Sequence, residues 1–494
     1  MNRSFLISLL LMFFLQSIAQ QKKPNIVWLM AEDMSLDLEC YGMPDVKTPN
    51  LNKMATQGVR FDNCFVTNPI CSPSRSAMML GVHQLLTNAQ HHRSNRNIPL
   101  KKPYKPFTYW LRKVGYTTIL GNHQVFTKGR KIDVNFKHKP LGAWDGDKEF
   151  GLFDKYDRFE KSDEPFFAQI QLKVTHRGDW WNAIRKKSKH PHDPNKIKLP
   201  SYFADHPKIR LDWAKYLDQI EYMDKEVGLI FDELKQKDLL KNTIVIFIGD
   251  NGRCNIRGKG YLYDEGLHIP LIVYYPNELK PGQVRKDVVS ATDITATILD
   301  FAKVNIPDYF TGKSIFKKDF QREFVFGTRD LWDEIDDKSR AITSDKWKYI
   351  RNDKTEIPYD AHQAYLEFYR PAVHVMRKLH LEKKLNRDQN LFFQPQKPSE
   401  ELYDLKKDPE ELHNLADDPK YAVKLDELRK ELIGMEENHF NTGSYEPVIP
   451  NAEKLYNWVK QTKPELYQKM LDGDEIGFQH LSSEYKKYLQ VNKK

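Results

Sequence analysis

Cysteine is scarce. Four residues in a chain of 494 cannot build a disulfide-held scaffold. Long apolar runs are missing after the first twenty residues, which excludes a multi-span membrane protein. Glycine (23) and proline (27) follow no repeat, so a collagen-like or low-complexity chain is excluded too. Nor does one charge sign dominate: Lys+Arg 77 against Asp+Glu 68 leave +9, with both signs mixed along the chain. That balance rules out a disordered polyelectrolyte. Without a clustered basic face it also speaks against a nucleic-acid partner and suits an anionic substrate. What is present is 40% hydrophobic and 12% aromatic residues. The length suits about two to four domains.

The N-terminus reads as a secretory leader over residues 1–20. Arg3 supplies the positive start, Phe5 to Leu15 the apolar segment, and Ser17-Ile18-Ala19 the small residues of a cleavage site. The segment is shorter than the ~20 residues that span a bilayer. A retained anchor is therefore the weaker reading. The expectation is export to a periplasm, with the extracellular space second, and no stable membrane insertion.

Asn25–Met30, Phe166–Leu172, Ile244–Ile248 and Leu271–Tyr275 are short, mostly apolar runs of strand length and composition, and each reads as buried on both faces as in a parallel sheet. Leu211, Ala214, Leu217, Ile220, Met223 and Val227 recur at helical spacing towards Leu234, and Ile294–Phe301 reads as another helix. Alternation of this kind predicts a doubly wound α/β core. After about residue 320, Trp347–Ile350 reads as an exposed alternating strand, and residues 400–494 turn rich in Lys, Glu and Leu with helical spacing. Arg185–Asn195 reads as a basic surface loop. The predicted division is a catalytic α/β domain over 24–320, an α+β subdomain over 321–430 and a helical tail over 431–494.

Ligands of open α/β sheets gather beyond the carboxyl ends of the strands. Three of the predicted strands run into Glu32-Asp33, Thr175-His176 and Asp250-Asn251-Gly252. Each alone suits a turn. Together, oxygen donors without clustered Cys or His suit a hard cation, Ca²⁺ or Mg²⁺.

Against this background Cys71-Ser72-Pro73-Ser74-Arg75 carries weight. With Pro24-Asn25-Ile26-Val27, Cys40-Tyr41-Gly42, Thr48-Pro49-Asn50-Leu51, Gly58-Val59-Arg60-Phe61, Gly249-Asp250-Asn251-Gly252, Gly258-Lys259-Gly260 and Tyr263-Asp264-Glu265-Gly266, the chain resembles a type I sulfatase of the alkaline phosphatase superfamily. Thr311-Gly312-Lys313-Ser314 and Glu401–Leu405 continue the likeness, which spans about residues 24–416. It implies an alkaline phosphatase-like mixed sheet flanked by helices with a smaller C-terminal subdomain. A maturing enzyme would convert Cys71 to Cα-formylglycine, with Pro73 and Arg75 as its recognition core. One hydroxyl of the aldehyde hydrate attacks sulfur and the other releases sulfate, so an unoxidised thiol would trap a dead-end adduct. The likeness assigns one Ca²⁺, or less favourably Mg²⁺, to Asp33, Asp250, Asn251, residue 71 and Glu32. Arg75 would steady the formylglycine, Lys259 bind sulfate, and His176 protonate the leaving oxygen.

The chain departs from the family twice. Glu32 stands where the first aspartate is usual, and Gly121-Asn122-His123 lacks the lysine of the usual Gly-Lys-x-His. Lys131-Ile132-Asp133 restores a similar spacing, which makes Lys131 a sulfate ligand and Asp133 or His123 the base. His91, His92 and Arg93, with Trp180-Trp181, are candidate sugar contacts. The likeness extends to heparan N-sulfatase-like proteins. The expected activity is removal of sulfate from a sulfated polysaccharide or oligosaccharide, such as ulvan, another algal glycan or a glycosaminoglycan. The alternatives are an N-sulfoglucosamine sulfohydrolase, a phosphonate or phosphodiester hydrolase, or a non-catalytic glycan-binding protein.

Overall fold

The computed structural model describes residues 22–123, 131–142, 151–439, 445–446 and 451–491; the leader read over 1–20 lies outside them. Its centre is an eight-stranded sheet built from β1 (Asn25–Ala31), β2 (Val59–Phe65), β3 (Thr117–Gly121), β4 (Lys155–Asp157), β5 (Phe166–Leu172), β6 (Thr243–Gly249), β7 (His268–Tyr274) and β8 (Gln283–Ser290). The order is β8-β2-β7-β6-β1-β5-β3-β4. Every residue of β1, β5 and β6 is buried, as strands covered on both faces require. β7 departs from the parallel reading of its run: it lies antiparallel to both neighbours, which gives the mixed sheet that the family resemblance implies. Continuous apolarity reports coverage of both faces and not strand direction.

The helices that pack about this sheet include α1 (Pro49–Gln57), α2 (Cys71–Leu80), α3 (Trp180–Lys187), α4 (Pro207–Gln236) and α5 (Ala291–Phe301). α4 carries the predicted stripe inward, although Leu211 at its start is 38% exposed. α3 takes up the first part of the segment predicted as a loop, because Arg185 pairs with the buried Asp218.

A second, antiparallel sheet follows, in the order β9 (Val325–Arg329), β10 (Ser339–Thr343), β11 (Trp347–Asn352) and β12 (Glu400–Asp404). β11 is not the exposed strand its alternation suggested. Lys348 is buried and its ammonium reaches Asp264 and Glu411, so a charge that reads as solvated is an internal ion pair. α6 (Ala364–Tyr369) and α7 (Pro371–Leu381) lie between β11 and β12. α8 (Ala422–His439) covers the small sheet through Leu425, Leu428 and Leu432. The last helices are α9 (Asn451–Thr462), α10 (Pro464–Leu471) and α11 (Phe478–Val491). Among the described residues no helix is long and apolar enough to cross a membrane.

Candidate active site

Register builds the site. Ala31 of β1 lies opposite Leu172 of β5 and Gly249 of β6, so three parallel strands end level. The residues that follow therefore emerge side by side: Glu32-Asp33, then Thr175-His176, then Asp250-Asn251. The Asp250 amide donates to the Ala31 carbonyl at 2.9 Å, and the Asp33 amide donates to Asp250 Oδ1 at 2.9 Å. Asp33 takes a left-handed backbone (φ 51°), which a short polar side chain tolerates better than most. Gly252 is required by close approach, since a Cβ there would sit 1.9 Å from the Glu265 carbonyl oxygen. Gly260, at φ +91°, turns the chain against Trp332 just after Lys259.

α2 supplies the other wall. Cys71 is its first residue and Arg75 lies one turn on, on the same face. Pro73 costs nothing there, because first-turn amides have no intrahelical acceptor. Cys71 Sγ lies 3.7 Å from Asp33 Oδ1. Arg75 pairs with Asp250 at 2.7 Å, faces Glu32 at 3.7 Å and donates to Gln171 Oε1 at 2.6 Å. Lys259 donates to Asp33 at 2.7 Å and Lys131 to Glu32 at 2.6 Å. Three carboxylates thus meet three fixed cations in a buried cluster.

The titration behaviour follows. Burial alone would raise the Asp33 carboxyl, but Lys259, His176 and Lys131 hold it well below the carboxylate range. Burial likewise works against Lys131 and Arg75 at Glu32, and the cations win, so Glu32 titrates low. At Asp250 burial prevails over Arg75 and Lys131, with Asp33 and Glu32 adding repulsion, and the carboxyl is raised. Burial pushes the Cys71 thiol up to about 12 although Lys131 and Lys259 oppose it. Unmodified Cys71 is therefore a neutral thiol and a poor nucleophile at neutral pH.

Asp33 Oδ2, Glu32 Oε1 and Asn251 Oδ1 are buried without a hydrogen-bond partner. One ligand atom each from Asp33, Cys71 and Asp250 lies within 4.8 Å of the others. Orphaned buried acceptors are costly unless something positive meets them, and these fit a hard cation. Glu32 stands outside that converging set, its other oxygen spent on Lys131.

The structure brings Cys71, Arg75, Asp33, Glu32, Asp250, Asn251, Lys131, Lys259 and His176 together. His176 Nε2 lies 3.9 Å from Asp33 Oδ2, and burial lowers the imidazole to about 4, with Lys131 and Lys259 acting in the same direction. Four expectations need correction. His123 is not at the site. Its ring stacks on Phe159 and faces Glu233, and burial lowers it to about 3. Asp133 is near, but despite burial the cations Arg93, Lys131 and Arg96 hold it well below the carboxylate range, so it is a charge anchor and a weak base. His91 stacks on Tyr445 instead of joining the cluster. Trp181 is buried, its indole N–H donating to the His176 carbonyl, so it is no sugar platform; Trp180 is half-buried, with its N–H tied to the Val174 carbonyl. Of the remaining sugar contacts, His92 is buried against Asp333 at 2.9 Å. Arg93 stays partly exposed beside Asp133, its amide donating to Ser72 Oγ.

Sequence reasoning missed Gln171, Arg96 and Tyr365. Gln171 was legible in principle, as a polar residue inside an apolar strand one position before its catalytic end. Tyr365 carried no such signal, being brought from α6 by tertiary packing alone. Its hydroxyl lies 3.2 Å from His176 Nε2.

Comparison with known proteins agrees with this geometry. A family profile described as Sulfatase matches residues 24–304, and one described as N-sulphoglucosamine sulphohydrolase, C-terminal, matches 337–438. An ulvan-active sulfatase of Formosa agariphila is 32% identical over 456 residues, covering 83% of this chain and 74% of that protein. The N-sulphoglucosamine sulphohydrolase of Homo sapiens is 28% identical over 320 residues, covering 59% of this chain and 63% of that one. A solved 2-O glycosaminoglycan sulfatase superposes with a TM-score of 0.60 at 18% identity, covering 85% and 93% of the two chains. At that identity the likeness speaks for the fold.

Proposed function

This chain belongs to the sulfatase family, and from that premise we propose that it hydrolyses sulfate esters on a sulfated polysaccharide. The nucleophile is formylglycine made from Cys71 by a maturing enzyme. The observation that carries this reading is the setting of Cys71: a thiol held neutral, beside unpaired carboxylate oxygens on one side and Lys131 and Lys259 on the other. Such a pocket suits an oxygen nucleophile and an anionic substrate, and wastes a thiol.

Asp33, Asp250, Asn251 and residue 71 would hold the cation, proposed as Ca²⁺ because the donors are oxygens. When bound it supplies Lewis-acid polarisation of the sulfate oxygens. The chain's own residues do the rest. Lys131 and Lys259, both kept protonated by their acidic neighbours against the effect of burial, neutralise sulfate charge as it shifts towards the leaving oxygen. Arg75 fixes Asp250 and the first turn of α2. His176 Nδ1 lies 2.9 Å from the Arg177 carbonyl, which can only accept, so Nδ1 carries the proton and Nε2 faces the cluster. The charge of an arriving sulfate opposes the lowering of this imidazole, so substrate favours the protonated ring that delivers a proton to the leaving oxygen. Arg93, partly exposed beside the site, is the open guanidinium available to a sulfated or uronate-bearing sugar. The leader over residues 1–20 supports export, most simply to a periplasm where such polymers arrive.

The test is a peptide mass spectrum across Cys71, on protein co-produced with a maturing enzyme, followed by sulfate release from ulvan and glycosaminoglycans. The expected result is the aldehyde mass and free sulfate from at least one glycan. An intact thiol in a host that matures a control sulfatase, or no release from any sulfated glycan, would reject the proposal.

A further inference from the structure

The linker before α11 and its first turn touch the elements that flank the catalytic cluster, although they lie beyond both matched segments, 24–304 and 337–438. Their contacts fall on two sides of His176. On one side Glu475 accepts from Asn182 at 2.9 Å and from Lys215 at 3.0 Å, and faces Arg177 at 3.4 Å. Gln479 Oε1 accepts the Asp179 amide at 3.0 Å, and the His480 amide donates to Asp179. On the other side Gln479 Nε2 donates to the Tyr369 hydroxyl at 2.9 Å, and Phe478 packs 4.8 Å from the Tyr369 ring and 6.3 Å from the Tyr365 ring. One short stretch, Glu475–His480, therefore clamps the strand-end loop that bears His176 to the helix that bears Tyr365.

Between the clamped parts a polar contact joins His176 and Tyr365. With the His176 proton on Nδ1, Nε2 can only accept, so the Tyr365 hydroxyl donates to it at 3.2 Å. The Tyr365 ring also meets the Lys259 ammonium at 5.7 Å, which ties the hydroxyl to the sulfate side of the pocket. The Nδ1 bond to the Arg177 carbonyl holds the ring at one end only, and without a second contact the ring can still tilt about that bond and carry Nε2 away from the leaving oxygen. Misplacement by about 1 Å costs up to about a hundredfold in rate.

We propose that Tyr365, locked by the Glu475–His480 clamp, is a positioning residue for His176: its hydroxyl donates to Nε2 while the ring is neutral and turns to accept from Nε2–H once bound substrate favours the protonated ring, keeping that edge on the sulfate side from which the proton passes to the leaving-group oxygen. The inference rests on the sulfatase reading above. It predicts a dependence on leaving group. A sugar alkoxide needs the proton that His176 delivers, whereas an activated aryl oxide departs almost without it.

The experiment uses full-length protein matured at Cys71, comparing wild type with Tyr365→Phe, which keeps the ring and its packing. The expected result is a fall in kcat of about tenfold on the sulfated glycan, with KM unchanged and less than about a twofold change on an aryl sulfate. In a His176→Ala background Tyr365→Phe should have no further effect, since its action passes through the missing ring. Equal losses on both substrates, or a further loss in that background, would overturn the proposal. Wild-type turnover reports separately on the sulfatase reading. Independently of turnover, the His176 side-chain ¹⁵N resonances should shift in Tyr365→Phe, and unshifted resonances would also overturn it.

Discussion

Two buried charge clusters of this molecule differ in how completely they close. Beside the small sheet, Asp337 accepts from Lys397 through both oxygens, at 2.5 and 2.6 Å, and pairs with Arg329 at 3.2 Å. At the level ends of β1, β5 and β6, three carboxylates meet two buried cations and the partly exposed Lys131, yet Asp33 Oδ2, Glu32 Oε1 and Asn251 Oδ1 accept no hydrogen bond. A closed network positions and costs; an open one is prepared to receive something. The difference lies in the acceptors: both Asp337 oxygens are engaged, with Arg329 Nε the atom left over, whereas Asp33 and Glu32 each keep one oxygen without a donor.

The largest expected effect breaks the open cluster at its centre. Cys71→Ala should lower sulfate release by about a thousandfold or more, with glycan binding retained and the far-ultraviolet circular dichroism unchanged. Loss of binding together with activity would mean that residue 71 serves the fold. The next effect breaks the closed cluster. Lys397→Met leaves Asp337 short of a partner and should cost about 3–5 kcal/mol, read as a lower Tm or urea midpoint, with turnover per folded molecule intact. If this variant loses turnover at full stability, the division between the two clusters is wrong. A third variant sharpens the comparison through the ion. Calcium at about a hundred times its dissociation constant should stabilise the wild type by about 2.7 kcal/mol. Asp250→Asn should abolish that gain in thermal melts, whereas Lys397→Met should keep it.

Much of this was legible beforehand, for definable reasons. The strands β1, β5 and β6 could be read because full coverage demands mostly apolar, uncharged runs, and the residues after them could be read because the strand-end rule needs only position. β2 and β8 escaped notice: Arg60, Asp62, Arg285 and Lys286 interrupt their apolar pattern. Lys348 was misread because burial of a lysine depends on Asp264 and Glu411, far away in sequence. Within the site, Cys71 and Arg75 follow from a local motif. Tyr365 and the clamp over it come from packing, which no spacing encodes. His123 failed as a candidate because proximity to a family motif in sequence says nothing of which side of a strand end a ring will occupy.

His123 supplies the smallest effect and a third kind of buried group, neither closed nor open to a ligand. Both of its ring nitrogens lack hydrogen-bond partners, its ring stacks 4.4 Å from Phe159, and Glu233 stays 3.8 Å away. Burial lowers its folded value to about 3, while an unfolded histidine titrates near 6.5. Between those values the unfolded chain binds a proton that the native state refuses, so this residue makes stability fall as pH drops below about 6.5. Above that pH both states are neutral and it contributes no slope. His123→Phe keeps an aromatic ring against Phe159 and removes the titration. The difference in unfolding free energy between about pH 7 and about pH 5 should then shrink by about 1–2 kcal/mol relative to wild type. An unchanged difference would place the histidine within reach of water or of the Glu233 charge. In either outcome sulfate release at neutral pH should be the same in both proteins, because this ring sits outside the cluster that Cys71 commands.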